Sequence, residues 1–152
     1  MIKRRRDLTP KEFEQIYSRV ARITVEIMAF YDGKIALIKR KEKSWQGQMH
    51  LPGGSVAYQE TLIDAVKRNA REELDVEVEV GEQIGYIEYP SEIKERGFGW
   101  SIGIVFVCKI VGDIDFDLWE QESVDLYSEI PDNLIAEQRS ILEIALDSNK
   151  NT

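Results

Sequence analysis

The sequence predicts an α/β or α+β domain, a mixed β-sheet covered by helices. Three observations carry this: a length of 152 residues, several β-rich segments, and a long helical segment between them with a further helix near each end. One compact domain over residues 1–152 fits that length. It would have a helical extension over 1–20 and a polar tail over 148–152.

Thr9-Pro10-Lys11-Glu12 combines an N-cap, a proline at the first helical position and a glutamate three residues after the cap, so a helix is expected from Pro10 to about Val20. Ile23–Phe30 and Lys34–Arg40 are β-rich and meet at Tyr31-Asp32-Gly33, a hairpin signature. A loop through Trp45, Gly47 and His50 leads to Leu51-Pro52-Gly53-Gly54, which reads as a turn. Glu60–Leu74 lacks Gly and Pro and has apolar residues at helical spacing. Val76–Val80, Gln83–Tyr89 and Ser101–Ile110 are expected strands, the last apolar enough for the sheet centre. Ser91–Gly99, with Lys94, Arg96 and two glycines, reads as a mobile flap. A final helix should follow Pro131 and end near Asp147.

With 43% hydrophobic and 32% charged residues, the chain can fill a core beneath a hydrated surface. Its net charge of −8 argues against an extended grip on nucleic acid or anionic membrane, so phosphate must be met by local cations or by metal. Cys108 is the only cysteine and His50 the only histidine, which excludes intrachain disulfides and Cys/His zinc clusters. Met1–Arg6 is basic without an apolar leader, and no run reaches membrane-spanning length. The expected location is a reducing cytoplasm.

The central helix carries the functional signal. At about 100° per residue, Leu62, Ile63, Val66, Ala70 and Leu74 share one face, and Glu73 falls inside it. An unpaired buried carboxylate costs several kcal/mol. Arg68 is one turn before Glu72 and can pair with it, but points away from Glu73. A hard dication at the helix margin, Mg²⁺ or Mn²⁺ in its place, suits oxygen ligands without histidine or thiolate.

These residues resemble the Nudix box: Gly, five residues, Glu, seven residues, then Arg-Glu-apolar-x-Glu-Glu-x-Gly-apolar. Gly54, Glu60 and Arg68 keep that spacing, followed by Asn69-Ala70-Arg71-Glu72-Glu73-Leu74-Asp75-Val76. Trp45 and Leu51-Pro52-Gly53 are similar to the family's lead-in. The resemblance implies an α/β/α sandwich and a Mg²⁺-dependent hydrolase that cleaves the diphosphate bond of a nucleoside diphosphate linked to a nucleotide, a sugar or a related group. By the same resemblance, Glu72 and Glu73 become metal ligands, Arg68 the cation orienting them, Gly54 a carbonyl ligand and Glu60 a supporting acid. Nudix relatives are often dimers, so a homodimer is an implied partner state.

Two positions depart from the pattern. Asp75 stands where the family has a helix-closing glycine, and Asn69 where it has an acid that often serves as a ligand or general base. An amide cannot take a proton, so the base is sought in Trp119–Ser123, with Glu122 first, Glu120 in reserve and Tyr127 as the aromatic that often follows such an acid. Glu122 is thereby both a catalytic and a metal-ligand candidate. Arg40, Lys39 and Arg22 are the candidate phosphate partners. Tyr89 and Trp100, with Trp45 and Phe98, are the candidate stacking aromatics. Asn69 also keeps two alternatives open: attack at sugar carbon, as in the GDP-mannose mannosyl hydrolase branch, and a non-catalytic nucleotide-binding domain.

Overall fold

The computed structural model describes residues 8–150, with side chains through Ser148; the basic Met1–Arg6 segment and the last two residues of the polar tail lie outside the described residues. Within them the chain runs α1 (Pro10–Tyr17), β1 (Arg22–Tyr31), β2 (Lys34–Lys39), β3 (Met49–His50), β4 (Gly53–Ser55) and α2 (Leu62–Leu74). It continues as β5 (Glu77–Glu88), α3 (Glu92–Arg96), β6 (Ser101–Val111), α4 (Phe116–Gln121), β7 (Val124–Tyr127) and α5 (Arg139–Lys150), the last entered through a short 3₁₀ turn.

β1 is the axis of the sheet. It lies parallel to β6 and antiparallel to β4 and β2, giving the order β3-β2-β1-β6-β5, with β4 on β1 and β7 on β2. Thr24 to Ala29 are buried without interruption, as expected of a strand covered on both faces. The sheet is mixed and lies between helices. On one face Val25, Ile27 and Ala29 pack with Val66, Ala70 and Leu74 of α2 and with Trp119. On the other, Met28, Leu37, Trp45, Leu51 and Tyr89 pack with Leu142 and Leu146 of α5.

The local chemistry of each end is recognisable. Thr9 and Glu12 close the expected capping box, though α1 stops at Tyr17, short of Val20. Asp32 and Gly33 take positive φ in the β1–β2 hairpin. Thr61 caps α2 by accepting from the Asp64 N–H at 3.1 Å. Asp75 closes that helix in the left-handed conformation, φ 54°, which is the reason for glycine in the family pattern.

Several expectations change. Val76–Val80 and Gln83–Tyr89 form one strand, β5, interrupted by register shifts between Val80 and Gly85. Gly53 and Gly54 form β4, not a turn, and neither has positive φ. Their value is close approach: a Cβ on Gly53 would strike the Val25 carbonyl, and one on Gly54 would lie 2.5 Å from Asn69 Oδ1. The Ser91–Gly99 segment contains α3, anchored by Glu92, which is 1% exposed. Trp119 and Glu120, expected in a loop, belong to α4.

Candidate active site

α2 is fixed to the loop before it by one arginine. Arg68 donates from Nε and Nη2 to the two Glu60 carboxylate oxygens, both at 2.8 Å, from Nη2 to the Ser55 carbonyl at 2.8 Å, and from Nη1 to Glu72 Oε2 at 3.1 Å. The fork-to-fork pair with Glu60 is the strong, oriented form of an ion pair. The hydrogen bond to Glu60 is the largest influence raising the Arg68 pKa. Arg68 and Glu60 therefore act as a brace that sets the position of Glu72.

Glu73 differs from its expected place. It is exposed, as is Ile63, and the buried polar residue of α2 is Asn69, 4% exposed. Ala70 and Leu74 still pack into the core at this end of the helix, while Glu73, between their face and solvent, lines a cleft. Asn69 points inward, donating from Nδ2 to the Ala65 carbonyl at 2.8 Å. Its carbonyl oxygen faces Gly54.

The cleft has two arms that share Arg40, Glu42, His50 and Glu73. The first, about 490 Å³, brings Glu72, Glu73 and Glu122 together with Lys39, Arg40 and Lys41. Partial desolvation of the carboxylate within the cleft raises the Glu73 pKa, the Glu42 and Glu122 carboxylates raise it further, and Arg40 opposes them. Arg40 is fixed by donating to Glu42 Oε2 at 2.9 Å, to Ser44 Oγ at 2.6 Å and to the Ser44 carbonyl at 3.1 Å, and lies 5.4 Å from the Trp45 ring. Glu122 caps the end of α4, where Lys41 approaches it at 3.9 Å. His50 Nδ1 donates to the Leu51 carbonyl at 2.7 Å, and burial lowers the ring's pKa to about 4.

The second arm, about 450 Å³, is lined by Gly53 and Gly54 of β4 and by Thr24 and Glu26 of β1. It is walled by Phe13, Trp45 and Tyr89, with Arg22 and Arg96 at one side and Glu26 inside. Arg22 is already engaged, donating to Ser101 Oγ at 3.1 Å and Ser55 Oγ at 3.0 Å and lying 3.8 Å from Glu92. Among the described residues, no three His, Cys, Asp or Glu side chains form a group that could hold a metal. The donor chemistry nevertheless suits a hard cation. Mutually repelling carboxylates with an opposing arginine lose that repulsion when an oxygen-seeking dication joins them.

Glu72, Glu73, Glu122, Lys39 and Arg40 thus share one arm, and Gly54, Arg22 and Tyr89 line the other. Arg68 braces from behind. Trp100, 39% exposed, lines neither arm. Tyr89 is a wall whose hydroxyl donates to Glu26 at 2.9 Å. Tyr127 sits in β7, outside both arms. Sequence reasoning passed over Glu42, Lys41 and Glu26. Glu26 had left a signal, a lone carboxylate in the apolar strand Ile23–Phe30.

A mixed sheet between helices, with a Gly-Glu-Arg-Glu-Glu constellation running from β4 to the last turn of α2, defines the class. A family model described as NUDIX domain matches residues 20–133, and the chain belongs to the Nudix family. Among curated proteins it is 35% identical over 78 residues to the low-salt glycan biosynthesis protein Agl8 of Haloferax volcanii, covering 51% of this chain and 50% of that protein. It is 37% identical over 81 residues to an ADP-ribose pyrophosphatase of Methanocaldococcus jannaschii, covering 53% of this chain and 46% of that one. The chain therefore spans about half the length of the curated relatives it matches. Among solved structures, a MutT Nudix hydrolase from Burkholderia pseudomallei superposes with a TM-score of 0.66 at 23% identity, over 84% of this chain and 97% of that one. A UDP-X diphosphatase superposes with a TM-score of 0.59 at 17% identity, over 92% and 70%. These two likenesses establish the fold.

Proposed function

We propose that the chain is a divalent-metal-dependent hydrolase that breaks a phosphoanhydride bond in a nucleoside diphosphate linked to a second group. The observation carrying this reading is the first arm, where Glu72, Glu73 and Glu122 face Lys39, Arg40 and Lys41 beside the Arg68–Glu60 brace. Gly54, Glu72, Glu73 and Glu122 are the residues that would hold Mg²⁺ or Mn²⁺. A dication there supplies Lewis-acid polarisation of phosphoryl oxygens and an acidified water.

The chain's own residues supply the remainder. Arg40 and Lys39 neutralise diphosphate oxygens against the overall charge of −8. Asn69 lacks a basic lone pair and is turned to the Ala65 carbonyl, so proton removal from the attacking water falls to Glu122, at the mouth of the arm. Glu120 is its reserve. The relative named ADP-ribose pyrophosphatase supports a nucleoside diphosphate linked to a sugar.

Incubation with nucleotide-sugars and dinucleotides, with and without Mg²⁺, tests the reading. Metal-dependent release of a nucleoside monophosphate is expected, with at least 100-fold loss of turnover in Glu73→Gln. Undiminished turnover in that variant removes the metal role.

The buried amide of Asn69 favours one second reading, attack at sugar carbon, to which the glycan-biosynthesis name of one relative also lends support. Hydrolysis in ¹⁸O-water separates the two: label in the phosphate means attack at phosphorus, label in the sugar means attack at carbon.

A further inference from the structure

Glu26 has no part in the chemistry proposed above, yet it is the most unusual residue on β1. It is 7% exposed in the middle of the central strand, and the sheet is built around it. A Cβ on Gly103 would come within 2.5 Å of Glu26 Oε1, and one on Gly53 within 3.2 Å of Oε2. Two neighbouring strands thus omit side chains where this carboxylate lies.

Its hydrogen bonds all run one way. Gln138 Nε2 donates to the Tyr89 hydroxyl at 2.9 Å, and that hydroxyl donates to Glu26 Oε1 at 2.9 Å. Thr24 Oγ1 donates to the same oxygen at 3.3 Å. Gln138 is itself held by accepting from the Leu51 N–H at 2.8 Å. Oε2 receives none of these bonds. The relay saturates one oxygen and leaves the other as an acceptor on the inner wall of the second arm.

A carboxylate buried among neutral donors costs several kcal/mol relative to an apolar residue, and a glutamine would serve Tyr89 and Thr24 equally well as acceptor. What a glutamine would not keep is a second acceptor facing the arm. The arm is also lined by the largely buried Trp45 and Tyr89, whose exposed edges add apolar contact beside that acceptor.

We infer that Glu26 determines which group the enzyme accepts beside the diphosphate: Oε2 takes a hydrogen bond from an N–H or O–H of the attached sugar or base. This rests on the diphosphate lying in the first arm, and it names the class of group in the second, an uncharged polar ring carrying donors.

Calorimetric titration in Mg²⁺ with non-hydrolysable probes tests it without turnover. The probes are α,β-methylene ADP-ribose, α,β-methylene UDP-glucose and methylenediphosphonate. Glu26→Gln is expected to weaken at least one of the two larger probes by about 10- to 100-fold, the range for a lost hydrogen bond to a charged group. Methylenediphosphonate should bind both proteins equally. Probes with hypoxanthine in place of adenine, or 2′-deoxyribose in place of ribose, then assign the donor: the probe that lacks the donating group becomes insensitive to the substitution. Should Glu26→Gln not fold, Glu26→Asp, with its oxygens withdrawn by one methylene, must give the same selective loss. Equal weakening of all probes, weakening of none, or no binding of the larger probes to the native protein overturns the inference. If the probes bind selectively but hydrolysable counterparts are never cleaved, the hydrolase reading fails while the role of Glu26 stands.

Discussion

Two buried side chains show how far a residue's surroundings change its meaning. Read as a string, Asn69 is a missing acid, and Asn69→Glu is the obvious repair. In the folded chain Asn69 donates to the Ala65 carbonyl and turns its own oxygen toward Gly54, where even a methyl group does not fit. A glutamate there is longer by a methylene and sets a carboxylate against a carbonyl that loses its donor. Asn69→Glu is expected to destabilise by about 1–3 kcal/mol and to leave turnover no higher, checked by urea unfolding and by assay. Glu26 gives a prediction of opposite sign. Burial raises its carboxyl from 4.5 to about 7. Between those values the folded chain holds a proton that the unfolded chain releases, so stability falls as pH rises through the window, by about 3 kcal/mol in all. Glu26→Gln has no such proton. Its stability relative to the native protein should improve by about that amount between pH 4.5 and pH 8, and parallel curves for the two proteins would remove the assigned shift.

At the scale of elements, the ends of α2 decide where the acids point. Asp75 holds the left-handed position, which disfavours most side chains by roughly 1–2 kcal/mol and aspartate by less. Asp75→Gly should therefore raise stability by about 0.5–1 kcal/mol without altering turnover. The neighbouring end is tied across the molecule: Trp119 Nε1 donates to the Leu74 carbonyl at 2.6 Å, joining α4 to the last turn of α2. That bond sets Glu122 against Glu73. Trp119→Phe keeps the apolar bulk but leaves a buried helix-terminal carbonyl without its donor, at about 1–3 kcal/mol by denaturant titration, with lower turnover as Glu122 shifts. These elements also mark what the sequence discloses. The capping box, the Asp-Gly hairpin and the Gly54–Glu73 interval are each written in one continuous stretch of chain. β4, β7 and α4 are short and take their form from what they touch. Gly-Gly looks identical whether it turns or lets two strands and a helix approach.

For the whole molecule the same distinction separates the two arms. The first was largely legible because Glu72, Glu73 and Arg68 lie within one helix. The second joins Glu26, Gly53, Tyr89 and Gln138 from four distant stretches, with no period to bring them together in a sequence. Periodicity also misplaced Glu73, because helical angle records a face and not whether core or cleft lies opposite it. In that cleft Glu73 faces the charges of Glu42 and Glu122. That repulsion works against the fold while no dication is bound and is relieved when one is. Glu73→Gln should therefore melt at a higher temperature than the native protein in EDTA, and the order should reverse in Mg²⁺. A ligand at one hundred times its Kd stabilises by about 2.7 kcal/mol, or roughly 5–10 °C for a domain of this size, and the variant has lost a ligand with which to capture that gain. Potassium chloride at equal ionic strength must not mimic the effect, since screening acts on every surface charge and coordination on these few. A native melting temperature indifferent to Mg²⁺, or a variant that gains as much from it, would assign the acids of the first arm to something other than metal.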